Sequence, residues 1–194
     1  MLELSQKKEG YAPMAEYTVY ILLTRSSTCF SRIIHMATGD PYTHASISLD
    51  GPLGPFYSFA RKYPRFALPA GLVQENLRYS WQASGEHVPC CLYALQVSEA
   101  VYRRLRQRLE NMYAMRECYH YSLLGALACH FDRLFRRQRY YFCSQFVAAL
   151  LQECGAAALP KDPALLRPMD LCGVEGLRVI HQGDLKSVLE RWAA

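Results

Sequence analysis

The sequence predicts a mixed α+β protein, and three stretches carry that expectation. Residues 17–24 form a run of β-branched and aromatic side chains, which reads as a strand. From residue 44 to 49, Ala45, Ile47 and Leu49 alternate with His44, Ser46 and Ser48, the period of two of a strand with one apolar and one polar face. From Phe146 onward the apolar residues run instead in near-continuous helical register. A helix buried on most sides therefore begins at or near Cys143.

The remaining elements follow in order. Residues 1–15 read as a flexible N-terminal arm and 16–194 as one domain, since 194 residues with 51% hydrophobic and 20% charged side chains suit a single globular core. After the first strand, Ser26, Ser27 or Thr28 is placed to cap a helix through Cys29, Phe30, Ile33, Ile34 and Met36, which Gly39-Asp40-Pro41 ends. The turn-rich Asp50-Gly51-Pro52-Leu53-Gly54-Pro55 joins 42–49 to 56–61 as a hairpin, with His44 opposite the second half of its partner. A basic and aromatic loop over 61–71 either rims a cleft or simply connects. Residues 72–77 form a short strand carrying Glu75, and 91–97 a strand with clearer alternation.

Ser98 then caps a helix whose apolar residues Val101, Leu105, Leu109 and Met112 lie opposite Arg103, Arg104, Arg106 and Arg108. Those arginines read as a solvated face, with a membrane or polyanion surface as the alternative. A second helical stretch over 123–135 is closed by Arg133, Arg136, Arg137 and Arg139, which suit the negative end of its dipole. If these cations line a cleft they favour a carboxylate or a phosphate. The Cys143 helix ends at Gly155, residues 177–180 form a last short strand, and Asp184 caps a final helix to Trp192.

The formal net charge of +5 is modest and unevenly placed, and with no phosphate-cradling glycine loop or nucleic-acid motif it gives no reason to expect a nucleic-acid partner. The first ten residues lack an apolar signal core and no apolar run is long enough to span a bilayer, so a cytoplasmic protein without an integral membrane segment is expected. Eight cysteines scattered among apolar neighbours then read as reduced, with adjacent Cys90 and Cys91 pointing to opposite faces of a strand. No pair has zinc spacing, and Cys118, His120, Cys129 and His130 lack the usual ligand intervals. No metal and no cofactor is expected.

Chemistry concentrates at two positions. A helix N-terminus offers unsatisfied N–H groups and the positive end of the dipole, which favour a thiolate at Cys143 and can hold an oxyanion. A buried cysteine at a helix start is the plainer alternative. His44, heading the polar side of its strand, is the residue type that takes a thiol proton and returns it to a leaving group. Sequence does not show that the two meet.

The order of these motifs carries a resemblance. Tyr42-Thr43-His44-Ala45-Ser46-Ile47, then Phe56-Tyr57-Ser58-Phe59, then Tyr119-His120-Tyr121, then Phe142-Cys143-Ser144-Gln145-Phe146 before a helix, resembles the circularly permuted NlpC/P60 branch of papain-like enzymes. That branch also holds YiiX-like and lecithin:retinol acyltransferase-like proteins. The resemblance spans residues 17–171, with the histidine before the cysteine where the unpermuted family has the reverse. It implies a permuted papain-like α+β fold, an antiparallel sheet packed against the cysteine helix. It further implies a Cys–His hydrolase of amide or ester bonds working through a thioester, with an acyltransferase or an inactive binding module of the same fold as alternatives. The partner is then a small-molecule, peptide or lipid acyl substrate. The YiiX-like pattern places a glutamate on the strand after the histidine strand, and residues 56–60 contain no acid. The third catalytic group is therefore Glu75 or Ser58, with Glu75 favoured for its charge.

Overall fold

The computed structural model describes residues 16–25, 39–62, 70–84 and 87–193. The expected N-terminal arm, the helix through Cys29 to Met36 and most of the basic loop after Arg61 lie outside them. The strands are β1 (Glu16–Thr24), β2 (His44–Ser48), β3 (Phe56–Arg61), β4 (Ala70–Glu75), β5 (Pro89–Ser98), β6 (His120–Tyr121), β7 (Tyr140–Tyr141) and β8 (Leu177–Asp184). The α-helices are α1 (Leu77–Ser84), α2 (Glu99–Ala114), α3 (Leu123–His130), α4 (Cys143–Glu153) and α5 (Leu185–Trp192). The chain is thus α+β, and its strands form one open sheet in the order β7-β6-β4-β3-β2-β1-β5-β8. Every neighbouring pair is antiparallel except β6–β7, which is parallel.

Alternation along the central strands divides the core in two. Val19, Ile21 and Leu23 of β1, with Ala45, Ile47, Phe59, Leu72 and Cys91, face α4 and α2, whose Phe146, Val147, Leu150, Leu151, Leu105 and Leu109 complete that layer. Leu22 of β1 points the other way, with Phe56, Cys90 and Leu92, under Leu77 of α1 and Leu185, Val188 and Leu189 of α5. Cys90 and Cys91 accordingly face opposite layers. Because both faces are covered, the polar side of β2 is also buried: Ser46 and Ser48 are inaccessible, where a half-solvated strand is expected from the alternation alone.

Helix ends follow local chemistry. The Ser98 hydroxyl accepts from the Val101 N–H at the start of α2, and Asp184 accepts from the Lys186 N–H at the start of α5. At the end of α4 the Gly155 and Ala156 N–H groups bond the carbonyls of Gln152 and Leu151, with Gly155 at φ 68°. The same motif stops α3 at His130, five residues short of the expected Phe135. Asp132 takes φ 52°, and its N–H and that of Arg133 bond Cys129 and Ala128. Aspartate tolerates this left-handed backbone, so a helix ends without glycine or proline to mark it. The expected closing arginines lie beyond it, on an irregular segment. Strand β8 extends to Asp184 by pairing along β5, well past the expected residue 180.

Candidate functional site

Two irregularities of the sheet create the site. At one edge, β7 runs parallel to β6, with the Ser122 N–H on the Tyr141 carbonyl (2.8 Å) and the His120 N–H on the Arg139 carbonyl (3.0 Å). Arg139 enters β7 through a left-handed φ of 62°. Gly71 makes this edge possible, because a Cβ there meets the Tyr119 carbonyl oxygen at 2.7 Å. The chain leaves β7 through extended Phe142 and turns into α4 with Cys143 as its first helical residue. Gln145 Oε1 accepts from the Phe142 N–H (3.4 Å), tying down the turn.

Further in, β2 and β3 pair through Ile47 and Tyr57 alone among the described residues, so the strands part toward His44. The groups freed by this parting find other partners. The Ala45 carbonyl accepts from the buried Ser58 hydroxyl (2.8 Å), while the Ala45 N–H donates to the Cys143 sulfur. The Ser144 N–H, in the first turn of α4, donates to the same sulfur. Burying residues 146–151 against β2 and β3 is what brings the helix start to this point, with Phe146 packed on Phe59 at 5.2 Å between centroids.

His44 lies between Cys143 and Glu75. Its Nε2 is 2.6 Å from Glu75 Oε1, and its ring is also hydrogen-bonded to the Cys143 thiol. The His44 and Glu75 side chains are 20% and 16% exposed and Cys143 is 6% exposed, so the group is shielded but not sealed. Burial alone pushes the imidazole pKa down, but the Glu75 carboxylate, followed by the bonds to Cys143, holds it well above its ordinary value. Burial likewise pushes the thiol up. The hydrogen bond and charge of His44, then the Ala45 and Ser144 N–H groups, bring its pKa below the ordinary value. The arrangement therefore favours a thiolate–imidazolium pair, the Glu75 carboxylate balancing the imidazolium.

The structure brings Cys143, His44 and Glu75 together and keeps Ser58 off the imidazole. Tyr121 has no assigned role in the sequence reading. Burial first, then the charge of Cys143, raises its pKa well above the usual phenol, which places the hydroxyl protonated in the field of the sulfur. Its signal in the sequence is the segment Tyr119-His120-Tyr121, whose nearness to Cys143 depends on the β6–β7 pairing. The Ala45 N–H has no side-chain signature at all. Among the described residues no group of three His, Cys, Asp or Glu is placed to hold a metal ion, and no helix is long and apolar enough to cross a membrane. The seven described cysteines are free thiols.

No protein-family model, curated protein or solved structure matches this chain.

Proposed function

We propose that the chain is a cysteine-dependent acyl hydrolase of permuted papain-like architecture, with Cys143 as nucleophile, His44 as base and acid, and Glu75 as the group that orients and charges the imidazole. The observation that carries this reading is the line Cys143–His44–Glu75, in which a shielded thiol is drawn toward thiolate against its own burial. A structural cysteine needs no such partners.

The Cys143 thiolate attacks the carbonyl carbon of an amide or ester, and the carbonyl π electrons move onto oxygen. The Cys143 N–H at the start of α4 faces the developing oxyanion, and the protonated Tyr121 hydroxyl is a further donor within the field of the sulfur. His44 imidazolium then gives its proton to the leaving amine or alkoxide as the acyl–leaving-group bond breaks, which leaves a thioester on Cys143 and a neutral imidazole. Water attacks the thioester, His44 takes its proton, and the carboxylic acid departs as the thiolate returns. An alcohol or amine in place of that water makes the same site an acyltransferase. Glu75 also supplies the acid whose absence from β3 speaks for an inactive binding module.

Incubation with a panel of activated acyl esters, read by intact mass and peptide mapping, tests the reading. The expected result is an acyl adduct on Cys143 that decays with time and is absent from Cys143→Ala. Stoichiometric substrate binding with no adduct and no product overturns it in favour of the binding module.

A further inference from the structure

Among the described residues eight large hydrophobic side chains are half or more exposed, and five of them, Leu123, Leu124, Leu127, Phe131 and Leu134, fall within one twelve-residue stretch, at 53%, 64%, 55%, 66% and 58% exposure. Scattered exposed leucines are ordinary, but this concentration is not. Helix α3 carries no Asp, Glu, Lys or Arg, and it buries Gly125 and Cys129 while presenting its leucines outward. Its inner side is pinned close to the site. A Cβ at Gly125 meets Ser122 Oγ at 2.5 Å and the Phe142 ring at 3.5 Å, and Phe142 directly precedes Cys143.

Charge decides what this surface fits. The following segment holds exposed Arg133, Arg136, Arg137 and Arg139 against a single acid, Asp132. Arg136 is paired with Asp162 and Arg137 lies over the Tyr140 ring at 3.9 Å, whereas Arg133, Arg137 and Arg139 have no carboxylate partner among the described residues. The arginines of α2 behave differently. Arg103 pairs with Glu99, Arg106 with Asp50 and Arg108 with Glu153, and Arg104 donates to the Cys154 carbonyl, so carboxylates hold three of that helix's four arginines. An apolar patch beside unpaired arginines calls for an anionic partner that also takes up apolar side chains. It is well matched to a bilayer, where leucine and phenylalanine enter the acyl boundary and arginine meets headgroup phosphates.

We propose that α3 and residues 131–139 form a docking surface for an anionic phospholipid bilayer. Docking itself stands on this surface alone; that it presents lipid acyl esters to Cys143 rests on the function proposed above.

Flotation of the full chain with phosphatidylcholine vesicles, with and without phosphatidylserine, tests the docking. The protein is expected to float with the anionic vesicles, to float far less with the neutral ones, and to lose binding as salt screens the arginines. Replacing Leu124 and Leu127 together by Asp is expected to lower the partition coefficient by at least tenfold, since each leucine contributes about tenfold when fully inserted. Arg133→Gln with Arg137→Gln is expected to cost roughly fivefold per arginine on anionic vesicles alone. All four positions are solvent-facing, and circular dichroism checks that each variant stays folded. Cys143→Ser should float like the wild type, so failure of the chemistry and failure of docking are told apart. Equal flotation with neutral and anionic vesicles, or undiminished binding by the leucine variant, overturns the proposal. So does a concentration-dependent dimer that the leucine variant dissociates while no vesicle is bound, because the surface then belongs to a second copy.

Discussion

Cys143 and Cys90 are both buried, at 6% and 0% exposure, yet their thiols are driven in opposite directions. Cys90 sits among Leu22, Phe56, Leu92 and Leu185, and burial, followed by the nearby Asp184 carboxylate and Cys91, pushes it up to about 12. Cys143 feels a burial effect of the same sign. What reverses the outcome is a hydrogen-bonded imidazole and two backbone N–H groups aimed at the sulfur. Depth in the fold therefore says little about a cysteine's chemistry, and the polar groups that share its depth decide it.

The largest expected effect breaks this contrast at its source. Cys143→Ser and His44→Ala should each abolish turnover of an acyl ester with the fold intact by circular dichroism, and the double variant should be no worse than either, because the two groups act as one unit. In His44→Ala the thiol loses the partner that lowers its pKa and should titrate upward, toward the behaviour of Cys90. Near wild-type rates in either single variant contradict the assignment.

Glu75→Gln sharpens the comparison. Removing the carboxylate takes away the main influence that raises the His44 pKa. The imidazolium is then lost at a lower pH, so the thiolate–imidazolium pair persists over a narrower range. Turnover at neutral pH should fall by about tenfold or more, and the alkaline limb of its pH profile should move down. Ser58→Ala should be mild in rate, since its hydroxyl holds the Ala45 carbonyl rather than the imidazole. Its cost should appear in stability, at about 1 kcal/mol by chemical denaturation for a lost buried hydrogen bond. Cys90→Ala should do least to turnover and lower stability by about 1–2 kcal/mol through a small cavity.

Much of this site is legible in the sequence because its signals are local. Period-two alternation places His44 on β2, apolar helical register places Cys143 at a helix start, and a charge argument selects Glu75 over Ser58 before any geometry is known. What stays illegible depends on pairing between distant segments. The parting of β2 from β3 that frees the Ala45 N–H is a departure from regular hydrogen bonding, which alternation cannot announce. Tyr121 comes within the electrostatic influence of Cys143 through a two-residue parallel pairing too short to carry a periodic pattern. The early end of α3 turns on aspartate accepting a left-handed backbone at residue 132. Burial of Ser46 and Ser48 follows from α1 and α5 covering the second face of the sheet, a tertiary fact that a strand's own residues do not encode.

The most direct measurement is site-resolved alkylation of the native protein by iodoacetamide as a function of pH, read by peptide mapping. Cys143 should label first at neutral pH, with a midpoint below the ordinary thiol value, and that midpoint should climb in Glu75→Gln and further in His44→Ala. Cys90 should stay unlabelled until the protein unfolds, and exposed Cys118 provides the accessible reference. Labelling of Cys143 no faster than Cys118 at neutral pH, with a midpoint unmoved by either variant, contradicts the central claim that His44 and Glu75 make this thiol a nucleophile.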